Sequence, residues 1–266
     1  RPAPLRRRRL HGPPALATPL LVALPLVAGF LLPTGVLVFW CVETIKKMRL
    51  QTLVGDLTNT LLLTLAVTGA ALLLACALAA FGRGRRPGRM LQAASWLVSL
   101  NFAVPAMVTA IALLFVTRDL AASPVGPLLS ETVLLLAYAC VLRYLCFAYF
   151  SVASGMRGLS TRLDEAVRTL HKGRAFAFFR VHLPLLRRYL VIGGLLVFIC
   201  VARELTLSMV LQPFDYHTLA LRVYSYAGKS ALPESSIYAL CLILLSIYPV
   251  FAMGRWFSRE RRPDHA

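Results

Sequence analysis

LTNTLLLTLAVTGAALLLACALAAF, residues 57–81, contains no charged side chain and no proline. About 20 apolar helical residues are enough to cross the ~30 Å hydrocarbon core of a bilayer, so this run reads as a membrane span. Working outward, five more runs qualify: Leu16–Trp40, Leu91–Val116, Thr132–Phe150, Tyr189–Leu211 and Ser236–Trp256. Six spans define an all-α polytopic membrane protein. The composition agrees, since 58% of the 266 residues are hydrophobic and 15% charged, against roughly 45–50% apolar in ordinary soluble domains. Pro25, Pro33, Pro105 and Pro249 fall inside these runs and predict kinks, which membrane helices tolerate when neighbours satisfy the freed carbonyls.

The formal charge of +18 would suggest a nucleic-acid partner if it lay on one soluble face. Here the basic residues sit in short clusters between apolar runs and read as topology signals beside anionic lipid. Loops rich in Lys and Arg stay in the cytoplasm. One set of alternate loops and termini holds Arg1, Arg6–Arg9, the cluster Arg83–Arg89, the island Arg157–Arg188 and Arg255–Arg262, with 21 Lys and Arg in all. The other set holds only 6: Lys46, Lys47, Arg49, Arg118, Arg222 and Lys229. Both termini and the island are therefore expected in the cytoplasm. The external loops 41–56, 117–131 and 212–235 are too short to form a domain, so capture from outside calls for a separate protein.

Arg6–Arg9 precede an apolar run longer than a signal-peptide core. The domain plan is thus a basic leader or linker at 1–15, a six-span domain at 16–257 and a cytoplasmic tail at 258–266. The start at Arg1 is read as part of a longer chain. The six cysteines, Cys41, Cys76, Cys140, Cys146, Cys200 and Cys241, lie in or beside apolar runs without CxxC spacing and read as small buried hydrophobes. Gly228-Lys229-Ser230 lacks the earlier glycine of a phosphate loop, since position 223 is Val223. The five histidines are scattered and suggest no metal site.

The island at 157–188 is the longest polar interruption. At helical spacing Leu159, Leu163, Ala166, Val167 and Leu170 form an apolar stripe opposite Arg162, Asp164, Glu165 and Arg168. Ser160 or Thr161 is placed to cap the helix start. His171-Lys172-Gly173 marks a break, and Ala175–Leu183 is expected as a second arm ending at Pro184. By periodicity alone this helix–turn–helix could simply cover helix ends at the membrane surface.

Asp164-Glu165-Ala166-Val167, followed by Arg180-Val181-His182-Leu183-Pro184, resembles the EAA loop of ABC-type importer permeases. That pattern is Glu-Ala-Ala, three residues, Gly, then nine residues to a hydrophobic position and Leu-Pro. Glu165, Ala166, Val181, Leu183 and Pro184 match it. Val167 is a mild departure, while His171 stands where the glycine belongs and Gly173 is the nearest glycine. The resemblance implies a coupling helix, with Asp164, Glu165, Ala166, Val167, His171, Gly173, Leu183 and Pro184 meeting a cytoplasmic ATP-binding subunit dimer.

Arg203-Glu204-Leu205 and Pro213-Phe214 through Thr218-Leu219-Ala220 to Tyr224 resemble the fifth-span end and following loop of ferric-iron-type permeases. That resemblance implies a bacterial inner-membrane importer subunit, here the C-terminal six-span half of a fused permease. A second permease half or copy and a periplasmic substrate-binding protein would be its partners. No cofactor is implied on this chain, because ATP and Mg belong to the ATPase partner. Thiamine, phosphonate and polyamine permeases are related alternatives for the substrate. The rivals from other classes are a lipid-modifying membrane enzyme and an ion-driven secondary transporter.

Arg143, Arg203 and Glu204 fall within predicted spans, where charge costs a few kcal/mol unless paired or wetted. Two readings are open. Glu204 lines a pathway for a cationic substrate, or it forms a structural pair with Arg143 or Arg203.

Overall fold

A computed structural model describes residues 13–47, 49–82, 89–119, 133–169, 173 and 176–260. Among the described residues all regular structure is helical. Five helical segments are long and apolar enough to cross a membrane, Thr18–Thr44, Leu50–Gly82, Val133–Gly158, Ala177–Ala202 and Leu232–Arg255, and a bent pair, Ala93–Ala103 with Ala106–Asp119, makes up to six. The chain is thus an all-α, multi-pass membrane protein.

The first span is α1 (Pro13–Leu26) running into α2 (Leu32–Thr44) through a wide π turn at Val27–Leu31. Its large apolar side chains point outward, with Leu20, Leu21 and Val22 each more than 60% exposed, as suits a surface solvated by lipid. Pro33 explains the wide turn: a proline ring collides with the carbonyl four residues back and offers no N–H. The chain widens by one residue, and the Leu32 N–H donates to the carbonyl of Val27.

Helix α3 (Leu50–Gly82) begins two turns before the expected Leu57 and absorbs part of the predicted external loop 41–56. Its buried residues, including Thr60, Leu63, Val67, Ala71, Ala75 and Ala79, recur every three or four positions and form one inward stripe. The alanines let neighbouring backbones approach closely. Against this stripe pack α6 (Val133–Gly158) and α8 (Leu183–Ala202), which also pack on each other. A Cβ on Gly194 of α8 would stand 3.1 Å from Leu72 of α3, and one on Gly193 would stand 3.0 Å from Ser151 of α6. The glycine pair is therefore a spacing device for this three-helix centre.

The expected third span, Leu91–Val116, is not one helix. It is α4 (Arg89–Ala103) and α5 (Ala106–Asp119), set at 112° to each other around Val104-Pro105. Pro105 removes a helix donor, and a residue before proline is pushed out of helical geometry. α5 packs against α9 (Thr206–Leu211), which follows the end of α8 remote from α7 (Thr161–Thr169). That contact favours a broken crossing over a loop returning to its starting side.

The predicted second arm of the island, Ala175–Leu183 ending at Pro184, is also corrected. Ala177–His182 is a second wide turn that leads without a break into α8, closed by the Leu183 N–H on the carbonyl of Phe178. Pro184 sits in the first turn of α8. The fifth span accordingly shifts from Tyr189–Leu211 to Ala177–Ala202, and Arg203–Leu205 interrupt the helix before α9. The expected external loop 212–235 contains α10 (Leu219–Gly228) and the first turn of α11 (Leu232–Glu260). α11 packs on α2 and α10.

Candidate functional site

Three groups of side chains bear on function, and they lie at different levels of the bundle. The first is α7. The Ser160 hydroxyl accepts from the Arg162 N–H at 3.3 Å, which makes Ser160 the N-cap. Val167 is buried, Leu163 half-buried and Leu159 packed on the core, whereas Glu165 is exposed. The helix is therefore anchored by its apolar side and offers Glu165 outward. Asp164 and Ala166 lie on the same helix.

His171 lies outside the described residues. Gly173 is exposed, with nothing within 4 Å of where a Cβ would stand and a backbone outside the left-handed region. Its carbonyl accepts from the Ala177 N–H at 3.2 Å, so helical bonding resumes there. Gly173 thus does not supply a left-handed turn in place of the missing glycine. Further on, Leu183 is half-buried and Pro184 exposed at the start of α8.

The second group surrounds the interruption of the fifth span. Glu204 is buried just past the end of α8, not midway along a helix. Its carboxylate accepts from the Tyr144 hydroxyl of α6 and, at 2.9 Å, from the Leu207 N–H. The Ser208 hydroxyl donates to the Glu204 carbonyl at 3.0 Å. A helix start leaves N–H groups without partners, and an acidic side chain there satisfies one. Glu204 therefore restarts the chain as α9 and fastens that start to α6.

Neither predicted arginine pairs with Glu204. Arg143 Nη1 donates to the carbonyl of Val104 at 2.8 Å, at the break of the third span, and its guanidinium lies 5.3 Å from the Phe102 ring centroid. Arg203 is exposed. Arg143 thus answers the carbonyl freed beside Pro105, and its charge is met by a carbonyl dipole and an aromatic face.

Sequence reasoning missed the third group because its members are distant in the chain. Asp56 of α3, 4% exposed, receives the Arg222 fork of α10, Nε to Oδ2 at 2.6 Å and Nη2 to Oδ1 at 3.1 Å. These hydrogen bonds to Asp56 hold Arg222 above even its ordinary high pKa. One turn along α3, the Thr60 hydroxyl donates to the Asp56 carbonyl and accepts from the Leu219 N–H, both bonds within 2.9 Å. Asn59 donates to the His217 carbonyl at 3.2 Å and accepts on its own carbonyl from the Tyr216 hydroxyl at 2.9 Å. Burial pushes that hydroxyl up to about 12, so it remains a donor. Together these bonds fix 216–222 along one flank of α3. The stretch belongs to the run Pro213–Tyr224 that carries the second resemblance, and Thr218 caps α10 by accepting from the Leu221 N–H. Among the described residues no group of three His, Cys, Asp or Glu side chains could hold a metal ion.

A bundle of broken and continuous apolar helices, with one short amphipathic helix at its edge, defines a multi-pass membrane protein. The chain is similar to inner-membrane permeases of ABC importers. The Fe(3+)-transport system permease protein FbpB 2 of Haemophilus influenzae is 26% identical over 157 residues, 59% of this chain and 30% of that protein. The spermidine/putrescine transport system permease protein PotC of the same organism is 28% identical over 104 residues, 38% of this chain and 40% of that protein. The match therefore covers well under half of either relative. No family model matches the chain.

Proposed function

We propose that this chain is a permease subunit of an ATP-driven importer and that α7 is its coupling helix. The observation that carries the reading is the setting of α7. It is anchored by Val167, exposes Glu165 and lies beside the end of α6 (Gly158). In this reading a cytoplasmic ATP-binding subunit dimer holds α7. Closure of that dimer tilts α8, a continuous helical rod from Ala177 to Ala202, and alternately opens the two sides of the membrane. Asp164, Ala166 and His171 belong to the same docking loop, and both termini lie in the cytoplasm. ATP and Mg stay on the partner subunit, a periplasmic binding protein delivers the substrate, and a second permease half or copy completes the pathway.

Ferric iron is the substrate we propose, supported by the first relative and by the likeness of 203–224 to iron permeases. The second relative favours a polyamine as the other reading.

Co-purification from membranes, followed by ATPase assays, tests the proposal. Glu165→Ala should leave the protein inserted and folded while reducing substrate-stimulated ATP hydrolysis at least tenfold. An assembly that lacks an ATPase subunit, and transports normally with Glu165→Ala, would refute it. Uptake of labelled iron against labelled spermidine separates the two substrates.

A further inference from the structure

The third span is broken, a second break follows the end of the fifth, and adjacent residues of α6 hold both breaks. Arg143 bonds the Val104 carbonyl at the break between α4 and α5, while Tyr144 bonds the Glu204 carboxylate at the break between α8 and α9. One turn further along α6, Phe147 joins the two contacts. Its ring meets Phe102 edge-on at 5.0 Å and stacks on Tyr144 at 6.3 Å. Beyond the breaks, the half-helices α5 and α9 pack against each other.

We infer that α5 and α9 form one mobile unit that pivots on Arg143 and Tyr144, which act as positioning residues. The physical argument is that helix breaks are where a bundle bends cheaply, because few intrahelical bonds are lost there. Two such breaks anchored to one short patch of a third helix, with their outer halves in contact, cannot bend independently. A shift of α9 pulls on Glu204 and hence on Tyr144, and through Phe147 and Phe102 reaches the α4–α5 corner. The unit lies in the half of the bundle remote from α7, where its swing would open or close that side. Only this last step rests on the importer reading.

Hydrogen–deuterium exchange of the full-length protein in lipid nanodiscs tests the coupling, comparing wild type with Tyr144→Phe and Arg143→Lys. Tyr144→Phe deletes one hydroxyl at the fifth-span break and keeps the ring against Phe147. Loss of one hydrogen bond should speed local opening roughly two- to tenfold. Coupling requires that acceleration in both 104–119 and 203–211, with 63–79 of α3 unchanged. Arg143→Lys, which retains the charge but not the fork, should give the same paired response from the other break. If each variant loosens only the segment it touches, the halves are independent and the inference is wrong. Acceleration spread through α3 would equally overturn it, since the residues would then support the whole bundle. The readout is exchange, so a failure to find ATP-driven uptake would refute the importer proposal without deciding this one.

Discussion

Replacing Arg222 with Met should destabilise the protein far more than loss of an exposed ion pair would. Asp56 is 4% exposed, and both its oxygens face the Arg222 fork at 2.6 and 3.1 Å. Removing one partner of a buried pair leaves an uncompensated charge and costs about 3–5 kcal/mol. The Arg222 side chain keeps 20% exposure, so some water would reach the orphaned carboxylate, and we expect about 2–4 kcal/mol. The assay is reversible denaturation in detergent micelles of the single variants Arg222→Met and Asp56→Leu and of the double variant. The double variant should recover most of the loss, since an apolar pair of similar size leaves no buried charge. A cost below about 0.5 kcal/mol for Arg222→Met would place the pair with ordinary surface bridges and refute the view that it fastens α10 to α3.

The same denaturation assay checks three further expectations. Thr60→Val strands the Leu219 N–H, for which Thr60 is the acceptor at 2.9 Å, and should cost about 1–3 kcal/mol. At the helix centre, Gly194→Val sets a Cβ against Leu72 at 3.1 Å and should cost about 1–3 kcal/mol by overpacking, whereas Gly173→Ala, in open space, should change stability by less than about 0.5 kcal/mol.

The spans were legible because hydropathy over 20 residues is a strong signal, and the amphipathic α7 was legible because Leu163 and Val167 repeat at helical spacing. The fifth span was misplaced because five of the seven residues Leu205–Leu211 are apolar, so averaging ran across the interruption at Arg203-Glu204. Those two adjacent charges were the available sign of a break. Pro105 marked the third-span break in the sequence. The 112° angle was not legible, since it depends on Arg143 taking the Val104 carbonyl from another helix. The grip of Asp56 on Arg222 spans 166 positions and leaves no local pattern.

The wide turns ahead of Leu32-Pro33 and Leu183-Pro184 also affect how the chain can be counted. Each adds one residue to a helical turn, and one residue is about 100° of rotation. Faces assigned by strict helical periodicity before residue 27 are therefore out of phase with those after residue 31. The extra residue behaves as an insertion confined to one turn. Deleting it while replacing the adjoining proline with alanine would restore ordinary helix and leave both flanking faces aligned. The same deletion in the middle of α3 would rotate its far half away from α6 and α8.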